Sequence, residues 1–258
     1  MKYPGGKGGA GVFQTIINLI PPHRIYIEAF AGGANIYERK FPAVSSFLIE
    51  RCPVQAEVLR STIAASGDDR ATVINDDAIS RLKYWPWGGD EFVYLDPPYV
   101  LSTRTKKSIY AYEMTDFQHC ELLATLVMMS AKGVKFMLSG YRNAIYDDAA
   151  GKQGWRRVDF QAMTRGGVRT ESVWMNYAAP AVIADYAYVG KDFRERERIK
   201  RKVNRWIRRL EQLPALERAA LLSAMRDPKV AMLATHDAND DAARCASSSA
   251  TNGDEVPA

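Results

Sequence analysis

Residues 92–100 read FVYLDPPYV, and this stretch decides the fold. Phe92, Val93, Tyr94 and Leu95 form a short apolar, β-rich run that delivers Asp96 at its end. Pro97 and Pro98 then stop the strand, because proline has no N–H for a sheet ladder and its ring fixes φ near about −65°. Runs of the same kind stand on either side: RIYIEAF (24–30), SSFLIE (45–50), ATVIND (71–76) and VKFMLSG (134–140). Continuous apolar runs, unlike alternating ones, are what strands buried on both faces carry, and helix-like or turn-like segments separate them. The pattern predicts an α/β fold with a mostly parallel sheet. In an open sheet of this type the ligand crevice lies beyond the carboxyl ends of the strands, so Glu28, Glu50, Asp76 or Asp77, and Asp96 are predicted to converge on it.

Working outward, VFQTIINLIP (12–21) has apolar residues at helical spacing before Pro21 and Pro22, which predicts a first helix. FAGGAN (30–35) follows the first strand and is predicted to open a helix. Its Gly32-Gly33 pair lacks the G-x-G-x-x-G spacing of a dinucleotide site but permits close backbone approach of a ligand, with Glu28 beside it. Downstream, RRVDFQAM and ESVWMNYA flank TRGGVRT (164–170), a Gly-Gly turn between two period-2 stretches, which predicts an antiparallel hairpin finishing the sheet. From Asp192 the character changes. Ile199, Val203, Trp206, Ile207, Leu210 and Leu213 share one helical face among nine Arg and Lys between 194 and 209, and Pro214 starts a second helix. The predicted organisation is a sheet domain over 1–190, a basic helical hairpin over 191–235, and a small, polar, disordered tail over 236–258.

Composition narrows the function classes. With 258 residues and 47% apolar content the chain can bury a full core, and a net charge of +5 suits an anionic partner. Cys52, Cys120 and Cys245 are far apart and the three histidines are scattered, so no structural zinc or metal site is expected. No apolar run approaches the ~18 residues of a membrane span, and the start lacks the apolar core of a signal peptide. A cytoplasmic, membrane-free protein is expected.

Two stretches carry chemistry. The double proline makes a rigid loop that presents the Asp96 carboxylate, the Pro97 carbonyl and the Tyr99 ring toward one small space. Two acceptors and a stacking surface suit a planar substrate with an exocyclic amine. The second stretch, MKYPGGKGGAGV (1–12), suggests a phosphate loop, but no strand precedes it, the spacing differs from G-x-x-x-x-G-K-[ST], and Gly8 stands where a magnesium-binding hydroxyl belongs. Read alongside FAGGAN and LDPPY, Lys7 instead resembles a cofactor-pocket residue, set against the cofactor or the acids around it.

YPGGK (3–7), FAGGAN after a strand, LDPPY (95–99) and WMNY (174–177) together resemble the Dam-like family of DNA adenine-N6 methyltransferases, particularly its short phage and prophage members, over roughly residues 3–178. The resemblance implies a Rossmann-like S-adenosylmethionine (SAM) fold with strand order 3-2-1-4-5-7-6, in a bacterial or phage-infected cell, and methyl transfer to adenine in DNA. It implies that Tyr3, Gly6 and Lys7 close over the methionine end of SAM, and that Phe30, Gly32 and Gly33 form its backbone-approach loop. It implies further that Glu50 takes the ribose hydroxyls and that Asp77, or Asp76 one position away, meets the cofactor adenine. Asp96, Pro97, Pro98 and Tyr99 match the catalytic motif. The same amine clamp would serve RNA adenine or cytosine-N4, and a catalytically idle SAM-fold nucleic-acid binder is a further reading that the intact D-P-P-Y disfavours.

The larger family members carry a target-recognition insert between the third and fourth strands, whereas only 18 residues separate Asp77 and Asp96 here. Reading of the target sequence must come from elsewhere or be weak. The loop STRTKKSIYAYEMTD (102–116), with Arg104, Lys106, Lys107 and Tyr110, and the segment 141–169, with Arg142, Arg165 and Arg169, interleave basic and aromatic residues as phosphate contact and base stacking require. The basic hairpin is another candidate. Target sequence and oligomeric state are not encoded in any motif of the chain.

Overall fold

The computed structural model describes residues 6–104, 111–164 and 167–227. Tyr3, Lys106, Lys107, Tyr110, Arg165 and the 236–258 tail lie outside the described residues. Seven strands, β1 (Ile25–Ala29), β2 (Ser45–Glu50), β3 (Ala71–Asn75), β4 (Glu91–Leu95), β5 (Lys135–Gly140), β6 (Arg156–Thr164) and β7 (Gly167–Met175), form one sheet in the order β3-β2-β1-β4-β5-β7-β6. The first five pair in parallel, and β7 runs antiparallel to both β5 and β6. This is the strand order that the resemblance implies, a Rossmann-like α/β sheet closed by an antiparallel hairpin.

Strand β4 occupies the middle of the sheet, and every one of its residues is buried. Its period of two sends Val93 and Leu95 to one face and Phe92 and Tyr94 to the other. The first face packs against α3 (Ala78–Lys83), α4 (Asp116–Ala131) and α5 (Ala144–Gln153), through Leu82, Leu126 and Tyr146 among others. The second packs against α1 (Val12–Ile17), through Ile16 and Ile17. Helix boundaries follow from local chemistry. Pro53 opens α2 (Pro53–Ser66), which Gly67 closes at φ 68°; Thr115 and Gln118 form a reciprocal capping box on α4; Asn143 caps α5.

One element differs from expectation. After FAGGAN the chain makes turns, not a helix, before β2. Phe30 (φ 61°) and Ala34 (φ 47°) hold left-handed conformations, which interrupt helical propagation, and the Glu28 carboxylate takes the Tyr37 N–H at 2.8 Å, a group a helix would pair internally.

The described residues group into two units, one reaching residue 178 and including 183–188, the other comprising 179–182 and the residues from 189 onward. The second holds α6 (Phe193–Glu211) and α7 (Ala215–Met225). Asp192 caps α6 by accepting the Glu195 N–H at 2.8 Å.

Candidate active site

The carboxyl ends of β1, β2 and β4 lie side by side, so the acids they deliver face a common space. A cavity of about 260 Å³ opens there, and Glu28, Glu50, Asp77 and Asp96 all line it together with Gly6, Lys7, Phe30, Gly32, Gly33 and Pro98. Asp77 also caps α3, accepting the Ser80 N–H at 3.0 Å, while neighbouring Asp76 pairs with Arg81 at 3.7 Å. Of the two acids, Asp77 is the one that lines the cavity.

The glycine loop is held from both sides. Glu50 accepts the Gly32 N–H through one oxygen and the Cys52 N–H through the other, each at 2.8 Å. Gln55 donates to the Gly32 carbonyl at 2.6 Å. Gly32 sits at φ 51°, between the left-handed Phe30 and Ala34, a conformation that costs little only at the glycine. Strain at the two neighbours is retained because Glu50 and Gln55 fix the backbone between them.

Asp96 meets Lys7 across 89 residues of sequence. The ammonium donates to both carboxylate oxygens, at 2.7 and 2.8 Å, and only 6% of the Lys7 side chain is exposed. Burial raises the Asp96 carboxyl above its ordinary range, and the Lys7 charge opposes that rise. Glu171 of β7 stands 3.8 Å from the same ammonium and accepts the Tyr99 hydroxyl at 3.2 Å. The Lys7 ammonium also lies 4.9 Å from the centre of the Tyr99 ring, whose edge meets Tyr141 at 4.7 Å. Pro97, between Asp96 and Pro98, is buried. The result is a double-proline loop whose acid and ring are both tied to one buried cation.

Glu28 is 3% exposed and accepts the Tyr26 hydroxyl at 2.9 Å in addition to the Tyr37 N–H. Burial raises its pKa to about 7. Four carboxylates against Lys7 and Arg51 give the cavity an acceptor-rich, negative lining, with Ile49, Ile79, Val54 and Met114 as its apolar wall. That set of acceptors fits a cationic ligand with hydroxyl and ammonium groups and a flat apolar part, which is the chemistry of SAM.

The basic residues expected to meet nucleic acid are placed unevenly. Arg104 is a correction: its side chain is 5% exposed and ion-paired with Glu113, so it is not the exposed phosphate contact expected. Arg142 is exposed but pairs with Asp147 at 2.9 Å. Arg169 lies with its guanidinium 5.6 Å from the Tyr141 ring, on the Tyr99 side of the site. Glu171 and Tyr141 were not singled out by sequence reasoning. Glu171 falls on the same face of β7 as buried Val173 and Met175, and that alternation is the signal that marks it.

Residues 65–164 match the family model of the D12 class N6 adenine-specific DNA methyltransferases. The D12 match runs from the end of α2 to the end of β6 and so contains Asp96–Tyr99; Lys7, Glu28, Glu50 and Glu171 stand outside it. It marks the chain as an enzyme of the methyltransferase class that uses SAM as methyl donor. No curated protein matches the sequence. Among solved structures, similar chains include TrmN from Thermus thermophilus (13% identity, TM-score 0.44, 63% of this chain and 46% of that one). TYW2 of P. horikoshii in complex with MeSAdo is similar over 67% of this chain and 64% of its own, at 13% identity and TM-score 0.44. A precorrin 8w decarboxylase of Methanobacterium thermoautotrophicum covers 68% and 94%, at 11% identity and TM-score 0.44. Identities this low carry no residue-level information. Among the described residues no helix is long and apolar enough to cross a membrane, and no group of three or more His, Cys, Asp or Glu could hold a metal.

Proposed function

We propose that this chain methylates the exocyclic N6 amine of adenine in DNA. The observation that carries the reading is the Asp96–Tyr99 loop, locked at the end of the central strand on the rim of an acid-lined cavity. Bound SAM supplies a methyl group on a sulfonium sulfur, activated for transfer to a nitrogen lone pair. Lone-pair density on an aromatic amine is delocalised into the ring, so the protein must localise it and align the amine with the methyl. Asp96 and the Pro97 carbonyl accept the two amino hydrogens and favour a pyramidal nitrogen. Transfer would exchange the methyl's bond to sulfur, whose electron pair stays on the neutral thioether, for the new N–C bond. The positive charge on nitrogen is relieved as one N–H proton leaves toward the Asp96 carboxylate and on to water.

Other residues orient and protect. A base stacked in a duplex cannot reach Asp96, so it must be flipped out, and the Tyr99 ring, held by Glu171 and Tyr141, supplies the replacement stacking surface. Glu50 offers its remaining lone pairs to the ribose hydroxyls of the donor, and Phe30, Gly32 and Gly33 allow its close approach. Lys7 holds the Asp96 carboxylate ionised and in place.

The test is Asp96→Ala assayed for methyl transfer to a mixed-sequence duplex and, separately, for duplex binding. Turnover should fall by roughly 100-fold or more with DNA affinity retained. Turnover like that of the natural chain removes Asp96 from the mechanism.

A further inference from the structure

Helix α6 carries nine basic side chains against three acidic ones, a net of +6, which exceeds the +5 of the whole chain; the other residues together are close to neutral. Within the helix the charge is sorted. At 100° per residue, Arg194, Arg198, Arg201, Arg205 and Arg208 fall inside an arc of roughly 80°, spaced four and three residues apart over ~21 Å of axis. No acid of α6 lies within that arc. Ile199, Val203, Trp206, Ile207 and Leu210 lie on the opposite side, so the arginine row is not the packing face. Glu195 takes Arg198 at 3.3 Å, but Arg205 and Arg208 carry no ion pair among the described residues.

We propose that the arginine row of α6 is a docking surface for the phosphate backbone of duplex DNA. Successive arginines stand about 5 Å apart along the helix, a continuous row of positive charge, and a guanidinium can take a phosphate bidentately. Such contacts carry no sequence information; they supply affinity and position. The choice of DNA as occupant rests on the reading of the site as a DNA methyltransferase. It also answers a deficit of the methyltransferase unit, which has 18 residues between Asp77 and Asp96 and an Arg104 already consumed by Glu113.

The experiment measures binding of the full chain to a fluorescein-labelled 25-base-pair duplex by anisotropy, from 50 to 300 mM NaCl. The variant Arg201→Gln/Arg205→Gln/Arg208→Gln should bind more weakly by about 10- to 100-fold at the low-salt end. Its slope of log K against log salt should be shallower by about 3, since each lost phosphate contact removes ~0.9. Circular dichroism and SAM titration establish that the variant is folded. Arg205→Gln alone, expected to flatten the slope by about 1, serves if the triple variant does not fold. Unchanged affinity and slope overturn the proposal. So does a natural chain that binds anionic vesicles (phosphatidylcholine with phosphatidylglycerol, 7:3) through these arginines while its duplex binding ignores them. A chain that binds DNA through α6 yet methylates no DNA leaves this proposal standing and refutes the catalytic one; methylation with no dependence on α6 does the reverse.

Discussion

Replacing Asp96 by Asn keeps the shape of the side chain and removes its charge, which leaves the Lys7 ammonium buried beside a neutral amide. Stranding one partner of a buried pair costs about 3–5 kcal/mol. Two features of the site reduce that figure: Asp96 is 20% exposed, and Glu171 remains 3.8 Å from the ammonium. A loss of about 2 kcal/mol is expected. Lys7→Met strands the carboxylate instead, at a similar cost at pH 7, with protonation of Asp96 as an escape at lower pH. The double variant strands neither group, so its loss should fall well short of the singles' sum of about 4 kcal/mol, a coupling of at least about 2 kcal/mol. Urea unfolding at pH 7, extrapolated linearly for the four proteins, measures it. A coupling below about 0.5 kcal/mol would show that the two groups do not hold one another, and the role of Lys7 would fall with it.

The same groups set the acid limit of activity. Asp96 must be ionised to accept an amino hydrogen; Lys7 lowers its pKa and Glu171 raises it, so the acidic limb of kcat/KM should move to higher pH in Lys7→Met and to lower pH in Glu171→Gln. Limbs that move together contradict the assignment. Glu50→Gln places an amide against backbone N–H donors of Gly32 or Cys52 and should weaken SAM binding by about tenfold or more, read by titration calorimetry; an unchanged Kd would free Glu50 from the site. His119 is fully buried, with Nδ1 2.9 Å from the Tyr146 hydroxyl and Nε2 without a hydrogen-bond partner, and burial lowers its pKa to about 4. The folded state stays neutral where the unfolded chain protonates, so this contribution is lost as pH falls from about 6.5 to 4. Thermal unfolding of His119→Gln should therefore show a deficit that shrinks across this window; a pH-independent deficit contradicts the burial argument.

The first five strands were legible because each is a local run of apolar residues, several ending in an acid or a glycine; the strand order came from the resemblance, since no local run encodes its neighbour in the sheet. FVYLD announces a strand buried on both faces, and β4 is that strand. Lys7 was assigned to the pocket or its acids, but its attachment to Asp96 is a contact across 89 residues that no local pattern encodes. Glu171 was hidden for the same reason, since an acid in a hairpin reads as solvent-facing until β7 is placed beside β5. The helix expected after FAGGAN failed to form because a tertiary contact, Glu28 on the Tyr37 N–H, competes with helical hydrogen bonding. Arg104 was misread because an isolated basic residue predicts exposure, and its Glu113 partner lies nine residues on, where no local pattern links the two.

The most direct measurement incubates the purified chain with SAM and an unmodified mixed-sequence plasmid, then maps modified bases on single molecules. The account predicts N6-methyladenine in the natural chain's product and its absence with Asp96→Ala. Methylation confined to cytosine N4, or to RNA supplied in a parallel reaction, would contradict it.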